Sequence, residues 1–168
     1  SRYQLDRMEL ININNKSTKK IRVGMLSGGF RLHPVGQMMV SMLKELADNE
    51  IELFFYSTNQ VNDFLTVEIK KYAASWKIVE SMPHRQLSDL IAKDKVDILI
   101  DMNGGGDGSR YQAVSRKPAP IIVKWVGMLI NTTGIKAVDY LLSDHFETPE
   151  GYDTLYTEKL IRLPDDYI

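Results

Sequence analysis

The stretch IRVGMLSGGFRLHPVGQMMVSMLKELA, residues 21–47, places a short apolar run before a glycine-rich turn and an amphipathic segment. Residues 21–27 have the character of a buried strand. From Pro34 to about Ala47, apolar residues recur at the spacing of a helix with one buried face. Pro34 suits the first helical position, where its missing N–H is no loss. Strand, tight turn and helix form the repeating unit of an open α/β sheet.

The same alternation continues along the chain. Further strands are predicted at 51–58, 76–80, 96–103, 121–127, 137–144 and 158–164. Helices are predicted from about 62 to 74, with Asn62 or Asp63 as N-cap, at 83–94, and in a short segment ending near Ser115. Strands joined by helices run parallel and are connected by right-handed crossovers. The pattern therefore predicts one doubly wound, Rossmann-like α/β lobe with a mostly parallel sheet.

Composition narrows the classes of function. The chain has 168 residues, of which 43% are hydrophobic and 26% charged, as in an ordinary soluble globular domain. It contains no cysteine, which excludes disulfides, thiolate metal sites and a cysteine nucleophile. A net charge of −1 gives no global reason to expect nucleic acid or an anionic membrane as partner. The two ends, SRYQLDRMEL and LIRLPDDYI, suggest a piece of a longer protein.

Five loops are expected at the carboxyl ends of the strands, where open α/β sheets bind their ligands. They are SGGFRLHP (27–34), STNQVND (57–63), MNGGGDGSR (102–110), GMLINTTG (127–134) and SDHFETPEG (143–151). Several are rich in Gly, Asn, Ser and Thr, which allow close backbone approach and offer amide and hydroxyl hydrogen bonds. Such loops suit a sugar or a nucleotide better than an apolar ligand.

His33 stands at the mouth of the helix that begins at Pro34. There an imidazole is at the N-cap or just before it, where the helix dipole favours its neutral form. A neutral imidazole can take a proton from an attacking hydroxyl or bond to a sugar. It can equally serve only to cap the helix. The residues by themselves leave both interpretations open.

Other motifs point less clearly to chemistry. MNGGGDGSR has the glycines of a phosphate cradle but lacks the Lys-Ser or Lys-Thr of a Walker loop. GMLSGGF does not fit the G-x-G-x-x-G spacing, and no acidic residue follows the second strand to hold a ribose, so a nicotinamide cofactor is disfavoured. Asp101 is expected to bond to a turn rather than act in acid–base chemistry. His84 and His145 lack ligand spacing, so no metal site is predicted.

Five segments in series resemble a known family. They are RVGMLSGGFRLHPVGQMM (22–39), VDILIDMNG (96–104), GSR (108–110), KPAPIIVKWVG (117–127) and AVDYLLSD (137–144). In this order they resemble the first half of the catalytic region of the O-GlcNAc transferase and SPINDLY family. The resemblance covers roughly residues 20–168. It implies the N-terminal lobe of a GT-B glycosyltransferase, whose two Rossmann-like lobes enclose a cleft.

The resemblance also implies an activity. Family members move a sugar from a nucleotide donor, UDP-GlcNAc or similar, to Ser or Thr hydroxyls of proteins, with inversion and without a cofactor or essential metal. Residues 1–19 would be a linker from upstream tetratricopeptide repeats, and 20–168 the N-terminal catalytic lobe. The C-terminal lobe would lie outside this chain, which would be inactive alone. A cytoplasmic location, no nucleic acid and no membrane span are further expectations.

Particular residues match the family motifs. His33 matches the histidine that faces the cleft near the donor sugar, which favours a catalytic role for it, and Pro34 completes the His-Pro pair. The remaining substrate-binding residues implied by the resemblance are Asn103, Gly104, Asn131, Thr132, Thr133 and Gly134. Departures from the family pattern occur at Gln37, Gly105, Asp107 and 128–132. The altered loops at 105–107 and 128–132 motivate an alternative hypothesis, a degenerate lobe that binds a partner without catalysis.

Overall fold

The computed structural model describes residues 19–47, 50–105, 108–127 and 131–167. In this part of the chain seven strands form one sheet in the order β3-β2-β1-β4-β5-β6-β7. The strands are β1 Ile21–Ser27, β2 Ile51–Ser57, β3 Ser75–Ile78, β4 Ile98–Asp101, β5 Ile121–Lys124, β6 Tyr140–Asp144 and β7 Lys159–Leu163. The helices are α1 Pro34–Ala47, α2 Phe64–Lys70, α3 His84–Asp94 and α4 Tyr111–Val114, with a 3₁₀ turn at Asp153–Leu155.

Every strand pair in the described sheet is parallel. The central strand β1 pairs with β2 on one side and with β4 on the other. Ser27 lies opposite Ser57 of β2, and Leu26 lies opposite Asp101 of β4, so the three strands end at the same edge. Strand order reverses between β1 and β4, which makes this edge the topological switch point where such sheets bind ligands.

Two hydrophobic clusters cover the two faces of the sheet. Met25 of β1 packs in one with Met39 and Leu43 of α1, while the next residue, Leu26, packs in the other with Leu87 of α3. Side chains of a strand point alternately to opposite faces, so consecutive apolar residues require cover on both sides. The apolar runs of the sequence are therefore explained by helices above and below the sheet.

Asp63 connects two loops as well as capping a helix. Its Oδ1 accepts a 2.9 Å hydrogen bond from the Thr66 backbone N–H at the start of α2, which confirms one of the two predicted N-caps. Its Oδ2 accepts a 2.6 Å bond from the Leu32 N–H, and the Thr66 hydroxyl donates to the Phe30 carbonyl at 2.9 Å. The beginning of α2 thereby fixes the loop between β1 and α1.

The sequence located each strand and helix of the described part but misjudged several ends. The predicted strands 96–103 and 121–127 are shorter, since β4 ends at Asp101 and β5 at Lys124. After β4 the Asp101 carboxylate accepts a hydrogen bond from the Asn103 N–H at 3.1 Å, and after β5 Val126 has a φ of 53°. Both features turn the chain out of the sheet. No helix in the described part is long and apolar enough to span a membrane.

Candidate active site

A cavity of about 420 Å³ lies at the carboxyl ends of β1, β2 and β4. Its described lining consists of Ser27, Gly28, Gly29, Arg31, His33, Val35, Thr58, Asn59, Met102, Asn103, Gly104, Gly108 and Gly127. The structure therefore brings together three of the predicted site residues, His33, Asn103 and Gly104, although 70 positions separate the first two. Pro34 is exposed and is not among the lining residues; it begins α1 beside the cavity.

Gly36 determines how closely α1 approaches the loop before it. A Cβ atom at this position would lie 2.2 Å from the Arg31 carbonyl oxygen and 2.8 Å from that of Gly29. Both contacts are with backbone, which cannot move aside as a flexible side chain can. The loop itself is tight, since the Arg31 N–H donates to the Gly29 carbonyl at 2.8 Å. The absence of a side chain at position 36 thus allows the loop to fold back over the helix and hold His33 at the cavity.

His33 occupies the N-cap position of α1. Its carbonyl accepts the first helical hydrogen bond from Gln37 at 3.0 Å, and its Nδ1 accepts a 3.2 Å bond from the Val35 N–H. Burial, with the charge of Arg31, lowers the pKa of the imidazole below its ordinary 6.5. A neutral imidazole that accepts at Nδ1 carries its proton on Nε2. The capping interpretation is confirmed, and it leaves an Nε2–H donor for a ligand.

Asn103 links three loops at the cavity wall. Its Oδ1 accepts a 3.0 Å hydrogen bond from the Gly28 N–H and a weaker one, 3.4 Å, from the Thr58 hydroxyl. A backbone N–H can only donate, so this contact fixes which end of the carboxamide is oxygen. The Nδ2 group is buried and has no hydrogen-bond partner among the described residues. Asn103 therefore offers an N–H donor to the cavity.

A buried lysine lies beneath the cavity. Lys124 is 1% exposed, and its Nζ donates to the carbonyls of Asp101 at 3.2 Å, Asn103 at 2.5 Å and Val126 at 2.6 Å. Three acceptors match the three N–H donors of an ammonium group. Burial lowers the Lys124 pKa, and the charge of Asp101 opposes that effect. Lys124 thus joins the ends of β4 and β5 and holds the left-handed backbone at Val126.

Asp101 bonds to its turn, as the sequence predicts. Its Oδ1 accepts from the Asn103 N–H, whereas its Oδ2 is buried without a hydrogen-bond partner in the described part of the chain. Burial raises the pKa of this carboxyl, and the nearby charge of Lys124 counteracts the rise. Asp101 is 1% exposed and does not belong to the cavity lining. Through its hydrogen bond with the Asn103 N–H, Asp101 holds the backbone of Asn103 in place at the cavity wall.

The threonine loop lies apart from His33. Asn131 and Thr132 line a second cavity of about 320 Å³, with Tyr152, Leu155 and Tyr156. The Thr132 hydroxyl donates to Glu158 Oε2 at 2.7 Å, the Thr133 N–H donates to Oε1 at 2.9 Å, and the Thr133 hydroxyl also donates to Oε1. The hydroxyls expected to hold a sugar are therefore bound by a carboxylate of this same chain.

Gly134 completes that loop in the left-handed region, with φ +68°. Its N–H donates to the Thr132 hydroxyl at 3.1 Å. The predicted departures at 128–130 and Asp107, like most of the predicted linker 1–19, lie outside the described residues.

Sequence reasoning missed Arg31, Thr58, Lys124 and Glu158. The sequence does contain a signal for Lys124, which is a lysine within the apolar run IIVKW. Burying such a charge is costly unless it is hydrogen-bonded, so a lysine at this position indicates buried acceptors. Thr58 and Glu158 stand in polar surroundings and Arg31 in a turn between Phe30 and Leu32, and no local pattern distinguishes the three from solvent-exposed residues. Only the arrangement of the loops shows what they contact.

Comparison with known proteins assigns the family. Residues 5–168 match the family model described as Glycosyl transferase family 41. The chain belongs to this family. An Arabidopsis thaliana protein described as a probable UDP-N-acetylglucosamine–peptide N-acetylglucosaminyltransferase, SEC, is 33% identical over 150 residues, which are 89% of this chain and 15% of that protein. The corresponding enzyme of Caenorhabditis elegans is 31% identical over 152 residues, 89% of this chain and 13% of its own length.

Two further similarities concern SPINDLY and a solved structure. Arabidopsis SPINDLY is 27% identical over 154 residues, 89% of this chain and 17% of that protein. A mutant of the Thermobaculum terrenum O-GlcNAc transferase superimposes with a TM-score of 0.83 at 36% identity, over 89% of this chain and 28% of that one. The predicted resemblance and fold class, a Rossmann-like N-terminal lobe of a GT-B glycosyltransferase, are confirmed. This family 41 chain spans less than a fifth of those curated relatives.

Proposed function

We propose that this chain is the N-terminal catalytic lobe of a glycosyltransferase that transfers a sugar from a nucleotide donor to Ser or Thr hydroxyls of proteins, with inversion. The donor is UDP-N-acetylglucosamine or a similar sugar nucleotide. Membership of family 41 supports the class of reaction. The observation that supports the site is the cavity at the switch point, where His33 and Asn103 meet. In the proposal, upstream tetratricopeptide repeats and a C-terminal lobe complete a cytoplasmic enzyme.

The transfer requires one bond to form and one to break. The acceptor hydroxyl oxygen attacks the anomeric carbon, the bond from that carbon to the diphosphate breaks, and the hydroxyl proton passes to a base. His33 is the proposed catalytic residue. Because its Nδ1 accepts from Val35, its Nε2 is a donor rather than a proton acceptor. We therefore assign His33 to orienting an oxygen of the bound substrates through Nε2–H, and not to removing the hydroxyl proton.

The other predicted residues have supporting roles in this proposal. Pro34 starts α1 and so fixes the His33 cap, while Asn103 and Gly104 form the cavity wall. Asn131, Thr132, Thr133 and Gly134 shape a loop on the sugar side of the cleft, with both threonines positioned by Glu158. The diphosphate is held mainly by the C-terminal lobe, so residues 1–168 alone are expected to show no turnover.

The experiment is a transfer assay on the full-length parent protein, with a panel of labelled sugar nucleotides and lysate proteins as acceptors. One donor is expected to label protein. His33→Ala should lower kcat by about 100-fold, the usual effect of removing one hydrogen-bond donor to the reacting groups. His84→Ala, which removes a histidine at the start of α3, is the matched control and should leave transfer unchanged.

Three outcomes would contradict parts of the proposal. Absence of label with every donor would reject the transferase and favour the non-catalytic binding lobe. Full activity of His33→Ala in a labelling enzyme would reject the role of His33. Transfer by residues 1–168 alone in a time course would show that the second lobe is dispensable.

A further inference from the structure

Among the described residues that line the His33 cavity, the two buried side-chain atoms without a hydrogen-bond partner are both N–H donors. Arg31 Nε and Asn103 Nδ2 are buried and have no hydrogen-bond partner in the described part of the chain. Both residues line this cavity. His33 adds a third donor at Nε2, because its Nδ1 is occupied by the Val35 N–H. Buried donors without partners are rare in proteins, and a ligand that supplies acceptors explains them.

The charge at the cavity is positive. Its described lining includes the Arg31 guanidinium and no acidic side chain. Arg31 forms none of the ion pairs seen among the described residues. Asp63, the carboxylate that bonds to the neighbouring Leu32 N–H, also accepts from Thr66 at the start of α2. The Arg31 charge is thus available to a ligand.

The groups below the cavity do not cancel this charge. Lys124 supplies an ammonium that bonds to the Asn103 carbonyl. Asp101 lies beside it but is buried below the lining, and its Oδ1 accepts from the Asn103 N–H. Its Oδ2 has no hydrogen-bond partner among the described residues, but Asp101 is not one of the residues that line the cavity. The described lining therefore offers an anionic ligand the Arg31 guanidinium, N–H donors and hydroxyls, and no carboxylate.

We infer that this cavity is an anion subsite, in which Arg31, Asn103 and His33 bind an anionic oxygen of the sugar-nucleotide donor. The inference rests on the proposed function, since it takes that donor as the ligand. A hydroxyl must donate as well as accept, whereas a phosphate or carboxylate oxygen only accepts and so fits a set of donors. The oxygen comes either from the donor diphosphate or from a carboxylate on the donor sugar.

Calorimetric binding to the full-length parent distinguishes the two sources. The probes are UDP, UDP-glucose and UDP-glucuronic acid. If the diphosphate is bound, Arg31→Gln should weaken all three by about 10-fold, as expected on loss of a charged hydrogen bond. If a sugar carboxylate is bound, only UDP-glucuronic acid should lose that affinity. Unchanged binding of all three would overturn the inference.

A second variant separates ligand binding from folding. Asn103→Asp keeps an oxygen for the Gly28 N–H but replaces the Nδ2 donor with a negative charge. It should weaken the same probes at least as much as Arg31→Gln, with an unchanged unfolding midpoint. Arg31→Lys should retain part of the affinity, because the positive charge remains. Arg85→Gln, on the exposed side of α3, is the matched control and should bind like wild type.

Binding of the nucleotides is measured independently of sugar transfer. The proposed anion subsite and the proposed transferase activity can therefore be rejected independently of each other. If the parent transfers no sugar but Arg31→Gln still weakens UDP, the subsite stands and the transferase is rejected. If the parent transfers sugar and neither variant changes binding, the transferase stands and the subsite is rejected.

Discussion

The imidazole Nδ1 of His33 accepts a 3.2 Å hydrogen bond from the backbone N–H of Val35, the second residue of α1. This contact joins two residues that are close in sequence, yet it determines the chemistry of the far side of the ring. With Nδ1 engaged, the Nε2 position holds the proton of the neutral ring and is left as a donor at the cavity that His33 lines. The same contact links the protonation of His33 to the start of the helix.

The folded chain should become less stable as the pH falls, because His33 becomes protonated. Its pKa is lowered in the folded chain, so the unfolded chain binds the proton first as the pH falls. The contribution of His33 to the stability of the folded chain is fully present at pH values above its ordinary pKa of 6.5. It is lost as the pH falls through the lower pKa of the folded chain. Urea unfolding at about pH 8 and about pH 5 should show a steeper loss for wild type than for His33→Asn, which caps without titrating. Equal losses in both proteins would remove His33 from this pH dependence.

Lys124→Met should destabilise the fold through the ends of β4 and β5. Methionine fills a similar volume but takes the Nζ donor away from three carbonyls. The Asp101 carbonyl keeps its bond from the Trp125 N–H, whereas those of Asn103 and Val126 lose the Nζ donor, and buried polar groups left unpaired cost about 1–3 kcal/mol. Lys117→Met is the matched control. It removes a lysine whose ion pair with Asp139 is partly exposed and contributes less than about 1 kcal/mol. The measurement is the free energy of unfolding from urea titrations; equal effects of the two substitutions would contradict the role of Lys124.

Gly36→Ala should displace the loop between β1 and α1. The new Cβ would lie 2.2 Å from the Arg31 carbonyl oxygen, so backbone must shift, at a cost of about 1–3 kcal/mol. Gly105→Ala is the control, because the nearest atom to its Cβ among the described residues, on the Tyr111 ring, lies 3.6 Å away. Unfolding free energies and the chemical shifts of His33 report the change. A Gly36→Ala chain with wild-type stability and an unmoved His33 signal would show that α1 does not need the glycine.

Glu158→Gln should loosen the loop that contains Thr132 and Thr133. It should also make the free energy of unfolding less dependent on pH in the acidic range. Burial alone would raise the Glu158 pKa, but hydrogen bonds from Thr133 and Thr132 outweigh it and the pKa lies below the ordinary 4.5. A carboxyl group whose pKa is lowered by folding stabilises the folded chain at pH values above the pKa of the unfolded chain. This stabilisation is lost as the pH falls through the pKa of the folded chain. The substitution should cost about 1–2 kcal/mol at neutral pH and less in acid. A constant difference at all pH values would mean that the carboxylate charge is not what holds the loop.

Much of the fold could be predicted because its determinants are local. Residues 21–27 and 34–47 appear as a strand and a helix with the predicted bounds, since apolar spacing, Pro34 and the glycines act on neighbouring residues. Strand ends were less predictable, as at Asp101, because an Asx turn competes with the sheet. The predicted location of the site at the switch point is matched by the cavity, since it depends on topology alone.

The sequence by itself determined the order of strands and helices, the place of the His33 cap and the family. Only the tertiary structure decided which polar groups meet. Gly28 and Asn103 are hydrogen-bonded across 75 positions. Glu158, the residue before β7, accepts hydrogen bonds from both threonine hydroxyls, and Lys124 bonds to carbonyls at the ends of β4 and β5. The physical reason is that a side chain's partner depends on register and loop position. A local pattern of residues does not contain that information.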